Sequence, residues 1–459
     1  MLTFHITSLG CPKNTVDAEI ILGNATARGL VPVENPADAD VLIVNTCGFI
    51  EPAKKESIDT IFQLSRFKQI GRCQRLVVTG CLAQRYAEQL ASQIPEIDFL
   101  LGTGDVLHVA DAIVGQGPRL RVGSPQGFLS TASTPRMLSK VGSSAYIKIA
   151  DGCSRQCAFC AIPRIKGPHR SRSVEDIVQE AENLVSQGVI EINLVAQDTL
   201  RFGHDLSSTS SLATLVQRLA NVPGLHWVRL LYLYPDELDD ALLELIAHHP
   251  HVAPYIDMPM QHAADPVLKT MRRGHGQRRL RAIVERIRKR APHASLRSAF
   301  IVGFPGETKE DFDQLVSFVQ WARFDHLGVF RYSDEEDTAA FDLPDKVPPR
   351  ESYRRFRKLM SVQRPIARAN NRQKKGQILQ VLVEGPSEEH EWVFAGRHAG
   401  QAPDIDGHVL FSESDVQPGE IWSAEVLTSS DYDLVVRIQG DTPIVKARLK
   451  KILPVLPSR

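Results

Sequence analysis

Among 459 residues there is no run of about 18 apolar positions, so no transmembrane helix is expected. The start, MLTFHITSLG, lacks both a basic leader and a long apolar stretch, so export is not expected and a cytoplasmic location is. Net charge is absent too: 54 Lys and Arg balance 54 Asp and Glu. That excludes a chain held to nucleic acid by its overall charge and leaves only local segregation of charge. Cysteine is missing from everything beyond residue 160; the seven cysteines stand at 11, 47, 73, 81, 153, 157 and 160. In a reducing compartment such crowding points to metal or redox chemistry rather than to disulfides.

What is present suffices for a full core, with 43% hydrophobic residues and a length that predicts roughly two to four domains. Up to about residue 115 short β-rich runs, LTFHITSLG, DVLIVNTCG and RLVVTGC, alternate with amphipathic stretches near 14–30, 52–69 and 84–93. That rhythm predicts a doubly wound α/β domain over 1–115. The Gly-, Pro- and Ser-rich stretch GQGPRLRVGSPQGFLSTASTP reads as a linker.

A longer alternation fills 139–370. Candidate strands are AYIKIA, INLVAQ, WVRLLYLY, YIDMPM, RSAFIVGF and LGVFRYS. Ser173 and the pair Thr308 and Asp311 give helix-start signals. Six strand–helix units predict a partial (β/α)6 barrel. Residues 350–375 are strongly basic with a helical pattern, and they either face RNA or pack against the barrel.

The texture then changes to short β runs with turns, which predicts a small antiparallel β barrel over 376–449. That module is acidic. Glu384, Glu388, Glu389, Glu391, Asp404, Asp406, Glu413, Asp415, Glu420, Glu425, Asp431, Asp433 and Asp441 face only Arg397 and Arg437 between Ile378 and Val445. Such a surface attracts a basic partner, or is simply a soluble one.

The stretch DGCSRQCAFC places Cys153, Cys157 and Cys160 in the loop leaving the first strand of the partial barrel, at the end where this architecture puts chemistry. Thiolates are soft ligands for zinc, copper(I) or iron–sulfur clusters. The competing accounts are structural thiols or zinc with a distant fourth ligand. Cys11, Cys47 and Cys81 share another context, SLGC, VNTC and VTGC, each ending a predicted parallel strand ahead of a helix. In a doubly wound sheet these ends share one edge, and helix N-termini there favour thiolate. The competing account makes each a small buried hydrophobe. Cys73, in GRCQR, lacks this context and reads as a spare thiol.

The spacing of Cys153, Cys157 and Cys160, with Phe159 before the last, resembles the radical S-adenosylmethionine (SAM) superfamily. The resemblance implies that the three hold three irons of a 4Fe–4S cluster whose fourth iron binds the amino and carboxylate groups of SAM. The second set resembles the methylthiotransferases, a radical SAM family with an auxiliary 4Fe–4S cluster, here at Cys11, Cys47 and Cys81, and a C-terminal TRAM barrel. SLGCPKNTVDAE, VNTCGFIEPAKKES, DGCSRQCAFCAIP, NLVAQDT, MPMQHAAD, IVGFPGET and YSDEEDTAAFDLPDKVP fall in family order over nearly the whole chain.

On this resemblance the second strand ends in Gln197 and Asp198, which could bind the SAM amino group. Gln261 and His262 would lie near the ribose or substrate, Arg297 could neutralise a carboxylate, and Gly303 and Gly306 would let the backbone approach the adenine. The alternative for each polar residue is a satisfied hydrogen bond within the barrel. One class of the family modifies an adenosine of transfer RNA and usually reads GCQMN at its first motif. The other modifies an aspartate on a basic small-subunit ribosomal protein. SLGCPKN, AQDT and FAGRHAGQAPDIDGHV, with the acidic barrel, favour the second. A more distant alternative is a non-catalytic iron–sulfur protein.

The implied mechanism is reductive cleavage of SAM, hydrogen abstraction from an aspartate β-carbon and transfer of a methylthio group. Electrons would come from a flavodoxin-like donor. Two positions depart from the family pattern: Ala18 where serine is usual, and Asp337 where glycine is usual, which questions the local turn.

Overall fold

The computed structural model describes residues 1–139, 142–206, 210–235, 238–387, 392–412 and 415–446. Six parallel strands open the chain: β1 (Thr3–Ser8), β2 (Val31–Pro32), β3 (Val41–Thr46), β4 (Arg75–Gly80), β5 (Phe99–Leu101) and β6 (Leu120–Arg121), in the order β2-β1-β3-β4-β5-β6. Alternation along β3 explains why both faces are covered. Val41 and Ile43 join one apolar layer under helix Pro12–Ala27, while Leu42 and Val44 join the layer under Glu51–Ser65. Buried Ala18 sits in the first layer. The sixth strand lies past the boundary expected at 115, so the Gly- and Pro-rich stretch is partly sheet.

The next strands are β7 (Ser144–Lys148), the short pair β8 (Ala150–Asp151) and β9 (Arg170–Ser171), then β10 (Glu191–Val195), β11 (Trp227–Leu230), β12 (Tyr255–Asp257), β13 (Ser295–Val302) and β14 (His326–Arg331). Two three-stranded parallel sheets, β11-β10-β7 and β12-β13-β14, are linked by the parallel bridge Val228–Val252. This is the expected six-stranded partial barrel. Ile192, Leu194, Val228, Leu230, Ile256 and Leu296 pack against the helices. Glu191, Asn193, Arg229, Asp257 and Arg297 alternate with them and make the other face polar. Both helix-start signals hold: Ser173 accepts from Asp176 N, and Thr308 with Asp311 forms a reciprocal capping box. The basic stretch is helix Pro349–Arg372, which buries Leu359, Gln363 and Ile366 on the partial barrel and exposes Arg364 and Arg368.

The C-terminal strands, β15 (Ile378–Pro386), β16 (Phe394–His398), β17 (Val409–Phe411), β18 (Ile421–Ser429) and β19 (Leu434–Gln439), close a barrel in the order β15-β16-β17-β19-β18. Its pairs are antiparallel except β17–β19, which is parallel. The barrel docks on the N-terminal ends of the partial barrel's strands. Buried Glu191 receives Arg397 at 2.6 Å and Arg229 at 2.9 Å. Tyr255 donates to Asp406 (2.6 Å) and Tyr146 to Asp404 (3.1 Å). Ion pairing also takes Glu384 (Arg397, 2.5 Å) and Asp431 (Arg368, 2.5 Å), while Glu420 is buried beneath Trp422 Nε1. Many of the acids read as a docking surface are therefore joints within the molecule. Glu388, Glu389, Glu391 and Glu413 lie outside the described residues. Among the described residues no helix is long and apolar enough to cross a membrane.

Burial alone would raise the Glu191 carboxyl, but Arg397 and Arg229 bring it down to about 2. A depressed carboxyl contributes stability that is present above its unfolded value and lost as pH falls through the folded one. Glu191→Gln is expected to cost about 3–5 kcal/mol at pH 7, as loss of one partner of a buried pair does. The gap between variant and wild type in urea unfolding should shrink as pH falls from about 4.5 towards 2.

Candidate active site at the domain joint

The first cysteine set lies on three adjacent strand ends. Cys11 is the N-cap of Pro12–Ala27, Cys47 directly follows β3, and Cys81 opens the short helix Cys81–Arg85 directly after β4. Because β1, β3 and β4 are neighbours, the three meet at one edge of the sheet. Glycine makes the approach possible: a Cβ on Gly10 would lie 2.7 Å from Cys47 Cβ and 3.0 Å from its Sγ. Gly80 has φ +99°, and a Cβ there would lie 2.5 Å from Thr46 O. Asn14 ties the edge together, donating to Leu9 O (2.9 Å) and Thr46 O (3.0 Å) with Oδ1 3.8 Å from Cys81 Sγ.

Cys47 departs from the expected helix start, standing three residues before the N-cap Ile50. Burial outweighs any helix-terminus effect at Cys81, pushing its thiol well up against the pull of Lys166. Cys73 is buried in the core near the other end of β4, its thiol donating to Arg75 O at 3.2 Å.

The second set folds into the loop after β8. Cys153 N donates to Gly167 O (3.0 Å), Cys160 N to Cys157 O (3.1 Å) and Ala158 N to Met271 O (3.0 Å). Burial pushes the thiols up, to about 11 for Cys153 and about 12 for Cys160. Arg273 Nη1 lies 3.3 Å from Cys157 Sγ. The Arg273 and Arg155 guanidiniums sit over Tyr234 at 4.2 and 3.6 Å from its centroid. Three soft donors in each set fit an iron–sulfur cluster with one iron left open, and protonated buried thiols would lose their protons on binding metal. Beside the loop, Gln197 Oε1 and Asp198 Oδ1 are buried without a hydrogen-bond partner. Orphaned acceptors of this kind fit an ammonium group.

A buried ion cluster joins the two sets. Lys148 and Lys166 both pair with Asp17, the latter at 3.2 Å, and lie 3.5 and 3.7 Å from Asp151. Asp17 is on the helix capped by Cys11; Asp151 and Lys166 flank the second cysteine loop. Burial opposes the Asp151 charge, but Lys166 and Lys148 hold its carboxyl well below the ordinary range. Buried Glu335 makes a second link, taking Arg85 (2.7 Å) and Lys54 (3.0 Å) from the N-terminal domain. In the third, linker Arg136 holds Glu19 (2.6 Å) and Glu180 (2.5 Å).

Residues 3–102 match Uncharacterized protein family UPF0004, 147–319 the Radical SAM superfamily and 376–438 the TRAM domain. Ribosomal protein uS12 methylthiotransferase RimO of Sorangium cellulosum (strain So ce56) is 52% identical over 443 residues, 95% of this chain and 91% of its own. Its counterpart in Myxococcus xanthus (strain DK1622) is 46% identical over 436 residues, again 95% and 91%. The chain belongs to the RimO methylthiotransferase family. Radical SAM proteins use SAM and a 4Fe–4S cluster, and the RimO family has two such clusters. Among solved structures, the radical SAM methyltransferase TsrM from Kitasatospora setae superposes with a TM-score of 0.52 at 16% identity, covering 72% of this chain and 73% of that one. This likeness is one of fold.

Within this RimO-family fold the softer expectations divide. Gln197 and Asp198 do stand at the mouth, Gln197 donating to Asp151 (2.9 Å) and Asp198 accepting from Arg155 (2.6 Å). Phe159 packs with Met271 and Phe304, anchoring the cysteine loop to the end of β13. Gln261, at φ +71°, bridges to Phe300. His262 is fully buried and accepts from Ala264 N (3.0 Å), so it stabilises its own turn.

Arg297 sits in the first half of β13, far from the strand's C-terminal end, and its charge already meets Asp257 (2.8 Å) and Asp406 (3.6 Å). It is therefore not a free cation for a ligand carboxylate. Gly303 leaves room for Ser352, whose Oγ lies 2.5 Å from the Cβ it lacks, whereas Gly306 faces open space. Asp337 adopts φ +64°, so the turn keeps the glycine-like geometry, with Arg164 paired at 2.7 Å.

Sequence reading missed Asp17, Lys148, Asp151, Lys166, Arg155 and Glu335. Their signal was present: charged residues lodged in motifs quoted for their cysteines or among apolar neighbours. Asp17→Asn leaves Lys148 and Lys166 with Asp151 alone. It is expected to destabilise the protein by about 3–5 kcal/mol in denaturant unfolding.

Proposed function

We propose that this protein transfers a methylthio group to the β-carbon of an aspartate on the ribosomal protein uS12. One observation carries the reading: two triplets of cysteine lie on either side of a single domain joint, each one thiolate short of closing a 4Fe–4S cube. Cys153, Cys157 and Cys160 would hold one cluster, and Cys11, Cys47 and Cys81 the other. When bound, the clusters and SAM supply the one-electron chemistry that opens an unactivated C–H bond, together with the sulfur and methyl group that replace the hydrogen.

The chain's own residues bind and orient. Gln197 Oε1 and Asp198 Oδ1, buried acceptors without a partner, would hold the SAM amino group. Gly306, with nothing where its Cβ would be, would leave the backbone open to the adenine, and Gln261 would stand towards the ribose. Arg273, 3.3 Å from Cys157 Sγ, would stand against the cluster that Cys157 holds. The ion cluster around Asp17 holds the N-terminal domain against the loop of the second set.

In this reading a flavodoxin-type donor provides electrons. Asp415 and Asp441, two exposed acids of the C-terminal barrel, face the basic ribosomal protein.

Reconstituted wild-type protein is expected to carry about eight irons per chain by iron and sulfide assay. Cys157→Ala should retain about half of them and lose 5′-deoxyadenosine formation under reducing conditions. Methyl-labelled SAM should label uS12. Label appearing in transfer RNA instead would overturn the substrate assignment, and zinc without iron would overturn the chemistry.

A further inference from the structure

Several buried cations at the domain joint are matched by carboxylates. Lys148 and Lys166 have Asp17, Arg85 and Lys54 have Glu335, and Arg136 has Glu19. Lys13 is different. It sits in the first turn of the helix that Cys11 caps, is 9% exposed, and projects from the N-terminal domain to the inside of the partial barrel. Its Nζ lies 3.6 Å from the centroid of the Tyr232 ring. Among the described residues no carboxylate comes within 4.0 Å of it. Asp257, whose field reaches Lys13, already gives Oδ1 to Arg297 (2.8 Å) and Oδ2 to Tyr232 N (3.0 Å).

An aromatic face compensates only part of the desolvation of an ammonium group; a carboxylate at hydrogen-bond distance compensates far more. The protein therefore holds a nearly dry cation, two residues from Cys11, that meets the Tyr232 side chain and lies near the Cys11 thiol but has no carboxylate at hydrogen-bond distance.

We infer that Lys13 is the subsite for the side-chain carboxylate of the substrate aspartate, an inference that rests on the proposed function. The carboxyl carbon is bonded directly to the β-carbon that reacts. A salt bridge from Lys13 to that carboxylate fixes the β-carbon beside the Cys11 edge, facing the barrel mouth where Gln197 and Asp198 stand. It also selects an acid over an amide, because Asn brings no charge to a buried ammonium group.

The test uses reconstituted enzyme with SAM, uS12, and uS12 carrying Asn in place of the modified aspartate. Affinity is read by anisotropy, and KM by methylthiolation of the Asp form. Wild type is expected to bind the Asp form about tenfold or more tighter than the Asn form. Lys13→Met should lose that preference by weakening only the Asp form, raise KM, and keep the iron content and 5′-deoxyadenosine formation of wild type. Lys13→Arg should restore the preference in part.

A preference unchanged in Lys13→Met, or equal loss of both forms, overturns the subsite. If Lys13→Met fails to retain its clusters, Lys13→Gln is measured in the same way against the same outcomes. Wild-type enzyme that modifies transfer RNA and not uS12 overturns the proposed function, and the subsite with it.

Discussion

Four buried charges hold this protein in its working shape. Asp17, Lys148, Lys166 and Asp151 cancel to neutrality in a space closed to water, so none can be withdrawn without exposing the others to an unpaired interior. Each belongs to a segment that carries cysteine or leads directly to it. Asp17 rides on the helix capped by Cys11. Lys148 and Asp151 lie on the strands entering the Cys153 loop, and Lys166 ends the helix leaving it. The pairing therefore sets how far apart the two cysteine sets stand. Ion pairs suit this task better than apolar packing would, because their geometry tolerates little sliding.

The same device recurs at the other end of the molecule. Glu191, Arg229 and Arg397 lock the C-terminal barrel onto the lower rim of the partial barrel, while Asp404 and Asp406 reach Tyr146 and Tyr255. From Asp406 the contacts run through Arg297 to Asp257 and on to Tyr232, against which Lys13 rests. The polar interior of the partial barrel is thus capped at one end by the C-terminal module and at the other by the N-terminal domain. The two cysteine sets lie at the N-terminal domain's end of that interior.

Much of this was legible from residues in order. Strand and helix periodicity, the capping signals at Ser173 and Thr308, and the strand-end positions of Cys11, Cys47 and Cys81 follow from local patterns that act within about ten residues. Arg297 and Gly303 read differently once folded. Arg297 has partners about 40 and 110 residues away, and the space at Gly303 is taken by a helix about 50 residues on. The acids of the last module also changed meaning, because composition counts charges without saying which are already paired.

By itself the sequence determined the three modules, the two cysteine triplets and the family, since each depends on short-range spacing and side-chain chemistry. Only the tertiary structure decided which charges are matched. Pairing is a property of distance in space, and the residues that satisfy Asp17 and Glu191, or leave Lys13 without a carboxylate, come from segments that the linear order keeps far apart.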